Sequence, residues 1–167
     1  MRTLVRSVGR PSIGGEPLPS CFKAFEQNKI IIRRSEVSMF AAAPGVGKST
    51  LALALALKMR VPTLYISADT NAHTMAMRLA SMISSKSQSD VEQLLITDPG
   101  WTKATLARGS HIVWSFESAP TLQDIAEEVQ AFEELWGCPP TLIVVDNLMD
   151  VATDGGEEFA SMRAVMK

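Results

Sequence analysis

Ala42-Ala43-Pro44-Gly45-Val46-Gly47-Lys48-Ser49-Thr50 is the stretch on which the reading of this chain turns. It closes on Gly-Lys-Ser as a phosphate-binding loop does, with Ala42 where the first glycine usually stands. The apolar run Val37-Ser38-Met39-Phe40-Ala41 precedes it, and Leu51 to Leu57, alternating leucine and alanine, follows. Strand, glycine turn and helix in that order give the pattern its mechanism. Gly45 and Gly47 open backbone conformations closed to other residues, so successive N–H groups can turn inward on phosphate oxygens. The helix beginning near Gly47 adds its unpaired N-terminal N–H groups and the positive end of its dipole. Lys48 is spaced to reach the β- and γ-phosphates, and the Ser49 hydroxyl to ligate Mg²⁺. Pro44, Gly45, Val46, Gly47, Lys48, Ser49 and Thr50 are therefore the expected contacts for a nucleoside triphosphate. Alanine at position 42 keeps a short side chain and mainly excludes a positive φ.

The bulk composition sets limits around that loop. With 167 residues the chain is long enough for one α/β domain with a buried core. At 46% hydrophobic and 20% charged it has the composition of a soluble globular protein. No apolar run approaches the roughly 18 residues that suggest a membrane span, so no membrane partner is expected. Cys21 and Cys138 are far apart and lack metal-ligand spacing, which fits a reducing, cytoplasmic compartment. A net charge of −2 gives no global basic signature of nucleic-acid binding. Residues 1–22 read as a flexible leader, with Arg2, Arg6 and Arg10 among prolines and glycines, and the folded domain is expected over 23–167.

Beyond the leader, strand and helix signals alternate. A strand is expected over 37–42 and the loop helix runs to about Arg60, where Pro62 ends it. Thr63-Leu64-Tyr65-Ile66-Ser67 is a short apolar run of the kind found in buried parallel strands. From Ala72 to Ile83, Met75, Leu79, Met82 and Ile83 fall on one helical face. Residues 84–109 are polar and irregular, with a short helix expected around Asp90–Ile96. His111–Phe116 reads as a strand, 121–136 as a helix N-capped by Thr121, and Thr141–Asp146 as a further strand. A turn at Asp154-Gly155-Gly156 and a helix over 157–167 close the pattern. This rhythm predicts an α/β fold, a parallel sheet between helices, with ligands at the strands' carboxyl ends. Gly47, Asp69 and Asp146 then share one edge.

Two carboxylates stand at that edge. Asp146 closes four apolar residues, the arrangement that holds Mg²⁺ through its water shell beside the phosphates. Asp69 ends the strand after the loop helix, where it can orient and deprotonate the water that attacks the γ-phosphate. The competing role for Asp69 is to cap the helix that follows Thr70-Asn71.

Taken together, residues 35–53, the segment Leu64-Tyr65-Ile66-Ser67-Ala68-Asp69 with Met77-Arg78-Leu79-Ala80, and Thr141–Asp146 resemble RecA-fold ATPases. The likeness is greatest to the ATPase domain of DnaB-type replicative helicases and to phage-encoded RecA/DnaB-like ATPases, and covers about 28–167. It implies a three-layer RecA-like domain with a mostly parallel central sheet, using ATP and Mg²⁺, with Asp69 and Lys48 catalytic and Ser49 and Asp146 on the metal. It also implies self-association into a ring, a hexamer at full length, with an arginine supplied by the neighbour, and work on DNA in a bacterial or phage-infected cytoplasm. The family has glutamate where this chain has Asp69. Its γ-phosphate sensor strand, DNA-binding elements and arginine finger are expected beyond Lys167, so the domain is read as incomplete at the C-terminus.

Two other functions fit the loop: a nucleotide-binding module or switch with weak or no hydrolysis, and a small-molecule P-loop kinase. The strand at 111–116 between the loop and Asp146, the acid at 69 and the lack of an arginine-rich lid segment argue against the kinase. Arg33, Arg34 and Arg78 read as solvated surface, Met75, Met77 and Met82 as core filling, and His73 and His111 as structural. Trp101-Thr102-Lys103 and Arg108 offer one tryptophan and two cations, too little for a single-strand contact to be preferred over ordinary surface.

Overall fold

The computed structural model describes residues 15–152, and the turn and helix expected over 154–167 lie outside them. The chain divides into two compact units, one up to Ala41 and one from Ala42 onward. In the first, helix α1 (Lys23–Gln27) lies between two short stretches that pair with each other. Leu18 N–H donates to Ile32 O at 2.8 Å and Arg34 N–H to Glu16 O at 3.0 Å, around an antiparallel bridge between Pro17 and Arg33. Phe22 and Phe25 lie 5.4 Å apart, and Phe40 stacks on Phe25 at 6.3 Å.

The second unit begins at the loop. Helix α2 (Lys48–Met59) leads to strand β1 (Thr63–Ser67), helix α3 (Ala72–Ser84), helices α4 (Gln88–Thr97) and α5 (Pro99–Leu106), strand β2 (Ile112–Ser115), helix α6 (Leu122–Trp136) and strand β3 (Leu142–Asp146). The three strands form one parallel sheet in the order β2-β1-β3. Parallel neighbours require long crossovers, and each crossover here carries helix. All five residues of β1 are buried, which is why its sequence is a continuous apolar run rather than an alternation.

The sheet has a helical layer on each face. Tyr65 and Ile112 point to the side where Leu53 and Ala56 of α2 and Met75 and Leu79 of α3 complete a buried cluster. Leu64 and Ile66 point the other way, onto Phe132 of α6, with Ile125 and Val129 alongside. Each fully buried side chain of this size contributes roughly 1.5–3 kcal/mol of transfer free energy. The three-layer α/β architecture expected of a RecA-like domain is therefore present, and Met75 and Met82 are core filling as their spacing implied.

Two expectations need correction. The strand anticipated over 37–42 is not formed: these residues lie in no ladder, and Val37 is 83% exposed and Met39 64%. An apolar run becomes a strand only when neighbours pair its backbone and cover its side chains, and the boundary between the two compact units falls inside this run. The polar stretch 84–109 holds two full helices rather than one short one. Their starts are fixed by caps: Ser87 accepts from Asp90 N–H at 3.2 Å, and Asp98 accepts from Trp101 N–H at 2.8 Å with Pro99 at the first position. Hydrophobic periodicity missed them because α4 buries Val91 and α5 buries Thr105, and no other residue of either.

Candidate nucleotide site

The loop's geometry follows from its glycines. Gly45 has φ +78° and Gly47 φ +102°, both in the left-handed region where other residues are strained. A Cβ at Gly45 would meet nothing within 4 Å, so the backbone conformation, not space, demands glycine there. Ala42 is not among the residues with positive φ, so alanine meets the needs of that position. Gly47 serves as the N-cap of α2, and no side chain caps that end. The first-turn N–H groups of α2, with the positive end of its dipole, are thus left for an anion.

Lys48 folds back over the loop. Its Nζ donates to Ala42 O at 2.8 Å and Ala43 O at 3.3 Å, so the ammonium is held at the loop's own mouth. Val46 is 69% exposed at the loop tip. One residue on, Ser49 Oγ donates to Asp146 Oδ1 at 3.1 Å across 97 residues of sequence. The helix start and the end of β3 are thereby brought to one point.

Asp146 is 7% exposed, yet both of its carboxylate oxygens have a hydroxyl partner. Oδ1 takes the Ser49 hydroxyl and Oδ2 accepts from Tyr65 Oη at 2.9 Å. A buried carboxylate is tolerable when it is hydrogen-bonded in this way. Tyr65 is wholly buried, and burial, followed by the Asp146 charge and hydrogen bond, pushes its phenol well above the ordinary tyrosine range. The Arg78 guanidinium acts in the opposite direction. The phenol is thus a fixed donor.

Asp69 stands just past the sheet. β1 and β3 remain paired through Ala68 N–H, which donates to Asp146 O at 2.8 Å, so Asp69 leaves the sheet next to the carboxylate-bearing strand end. Ser67 Oγ donates to Thr70 O at 3.0 Å and holds the turn. Helix α3 is capped by Asn71, whose Oδ1 accepts from Thr74 N–H at 2.9 Å, so the capping role considered for Asp69 is filled by another residue. Asp69 is exposed and accepts from Thr70 Oγ1 at 2.8 Å.

The donor set suits a magnesium ion shared with phosphates. Among the described residues no group of three or more histidines, cysteines or acids could hold a metal by itself. One hydroxyl and one carboxylate facing each other across Ser49 and Asp146 match Mg²⁺, which keeps several waters and takes few protein ligands beside a nucleotide.

The remaining sequence candidates divide. His111 is structural, its Nε2 3.1 Å from Ala56 O. Arg33 donates to Gly15 O at 3.2 Å and Arg108 to Ile83 O at 3.4 Å, so both guanidinium groups are tied to nearby backbone. Arg78, read as solvated surface, is half-buried and lies within electrostatic range of Tyr65. Tyr65 is the site residue that sequence reasoning passed over as core. The available signal was its polar tip, since a buried tyrosine hydroxyl usually has a partner.

Comparison with known proteins places the chain in a family. The model of a family described as AAA domain matches residues 28–166. The chain is 35% identical over 159 residues to the Gene 65 protein of Mycobacterium phage L5, covering 91% of this chain and 58% of that protein. It is 33% identical over 140 residues to the Gene 65 protein of Mycobacterium phage D29, covering 77% and 57%. The chain thus spans less than two thirds of the length of these curated relatives.

Proposed function

The chain belongs to the AAA-domain family of P-loop ATPases, and we propose that it is the ATP-binding and Mg²⁺-dependent ATP-hydrolysing core of a DnaB/RecA-like DNA helicase or recombination ATPase. The observation that carries the reading is the 3.1 Å pairing of Ser49 with Asp146, which joins the loop helix to the acid-tipped strand. ATP lies on Pro44 to Thr50, its phosphates facing the α2 N terminus. Lys48 exchanges its loop carbonyls for phosphate oxygens and offsets the charge that builds on the transferred phosphoryl. When bound, Mg²⁺ supplies electrostatic stabilisation beside Ser49 and Asp146. Asp69 orients the attacking water and takes its proton, held in place by the Thr70 hydroxyl.

The DNA-linked role and the ring rest on the resemblance of residues 28–167 to RecA-fold ATPases. A second reading, a nucleotide switch with slow turnover, is favoured by the short arm of Asp69 and by its engagement with Thr70. Turnover measured with and without single-stranded DNA, on wild type and Asp69→Asn, separates these. A motor shows turnover that rises with single-stranded DNA and is lost in Asp69→Asn while nucleotide binding persists. Slow turnover that ignores both DNA and the substitution supports the switch.

A further inference from the structure

Tyr65 lies on the central strand in register with Val144, and Ser67 with Asp146. Side chains alternate along a strand, so Tyr65 and Asp146 share one face, two residues apart along the ladder. That offset lies within the reach of a tyrosine and beyond that of a short hydroxyl side chain. The ring is set in the cluster formed by Leu53, Ala56 and Met75, with Trp114 5.0 Å away. From there the phenol reaches Asp146 Oδ2 at 2.9 Å.

We propose that Tyr65 is a positioning residue for Asp146: it occupies one carboxylate oxygen from a rigid buried ring, so that the other faces Ser49 and the magnesium water shell. The inference rests on the nucleotide-site reading above and adds a member to it. With two oxygens and a free χ2, an unsupported aspartate could present either oxygen, or neither, to the loop helix. Tyr65 selects one. Its ring also roots the site in the core layer shared by α2, α3 and the sheet, so the carboxylate's orientation is set from beneath rather than by the loop. Partners that orient a metal-linked carboxylate typically influence metal affinity by about 10- to 100-fold.

Tyr65→Phe removes the hydroxyl and keeps the ring. The full chain is titrated with a fluorescent ATP analogue at fixed Mg²⁺ levels and in EDTA. The expected result is a rise of about 10-fold or more in the Mg²⁺ concentration giving half-maximal enhancement of binding, with affinity in EDTA held within about twofold. In an Asp146→Asn background the same change adds nothing, because Tyr65 acts through Asp146. An unchanged Mg²⁺ requirement in a folded Tyr65→Phe protein overturns the proposal.

Tyr65 is the sole tyrosine of the chain, which gives a test that needs no substitution there. Tyrosine labelled with ¹³C at Cζ yields one resonance, expected to move on Asp146→Asn and again when Mg²⁺ joins the nucleotide complex. A resonance blind to both overturns the proposal even if Tyr65→Phe does not fold. Failure of the nucleotide-site reading looks different: wild type and Lys48→Ala then bind the analogue alike, whatever Tyr65 does.

Discussion

Exchanging the Asp146 carboxylate for a carboxamide changes its charge while nearly preserving its shape. In Asp146→Asn, Tyr65 can still donate to the amide oxygen, and the amide N–H₂ can donate to Ser49 Oγ, which then acts as acceptor. Both contacts survive, and the burial of a charge is relieved. Folding stability in magnesium-free buffer is therefore expected to change by no more than about 1 kcal/mol. Asp146→Ala removes both acceptors. Ser49 is half-buried and can turn to water, but the Tyr65 hydroxyl is left enclosed without a partner. An unsatisfied buried hydroxyl costs about 1–3 kcal/mol, so alanine should be the less stable variant by that margin. Urea unfolding followed by tryptophan fluorescence reads the difference. Both variants should lose Mg²⁺-enhanced nucleotide binding, because neither carries a carboxylate. If alanine is as stable as asparagine, the Tyr65 contact carries no weight. If folded Asp146→Asn keeps its Mg²⁺ response, Asp146 is not the magnesium carboxylate.

Further outcomes follow from other parts of the fold. Gly47→Ala places a Cβ at φ +102°, a conformation that costs a non-glycine residue about 1–3 kcal/mol; if the unliganded loop relaxes and nucleotide must restore that conformation, binding should weaken roughly 10-fold with the unfolding midpoint nearly unchanged, whereas equal affinity with a lowered midpoint would show that the free loop already holds it. The capping box at α6 gives a pH dependence. Hydrogen bonds from the Thr121 backbone and side chain hold the Asp124 carboxyl below its ordinary 3.8, so it stabilises the fold above that value. The Tm gap between wild type and Asp124→Ala should be present at pH 7 and close as pH falls below 3.8 through the lower folded value. A gap independent of pH would place the effect elsewhere.

The parts of the fold legible in the sequence were those where a local signal and a tertiary role coincide. β1 was readable because a strand buried along its whole length is a continuous apolar run, β2 and β3 because their apolar runs pair with it on either side, and α6 because Thr121 announces its start and Phe132 its buried face. The apolar run at 37–42 carried the same signal but lacks ladder partners, so it misled. The helices at 88–106 bury too little to show a periodicity, and only their caps mark them. At the candidate site, the placement of the loop helix and of both acids at one edge of the sheet was readable from position alone. The link from Tyr65 to Asp146 was not, since it depends on the register of two strands 81 residues apart, which no local pattern encodes.

In the reading proposed above, the loop from Ala42 to Thr50 binds a nucleoside triphosphate through Lys48 and the α2 N terminus. Calorimetric titration of wild type and Lys48→Ala with ATP and Mg²⁺ tests it directly. Wild type is expected to bind with one site per chain, and Lys48→Ala, with the same unfolding midpoint, to show no measurable heat of binding. Equal affinity in the two proteins would contradict the account.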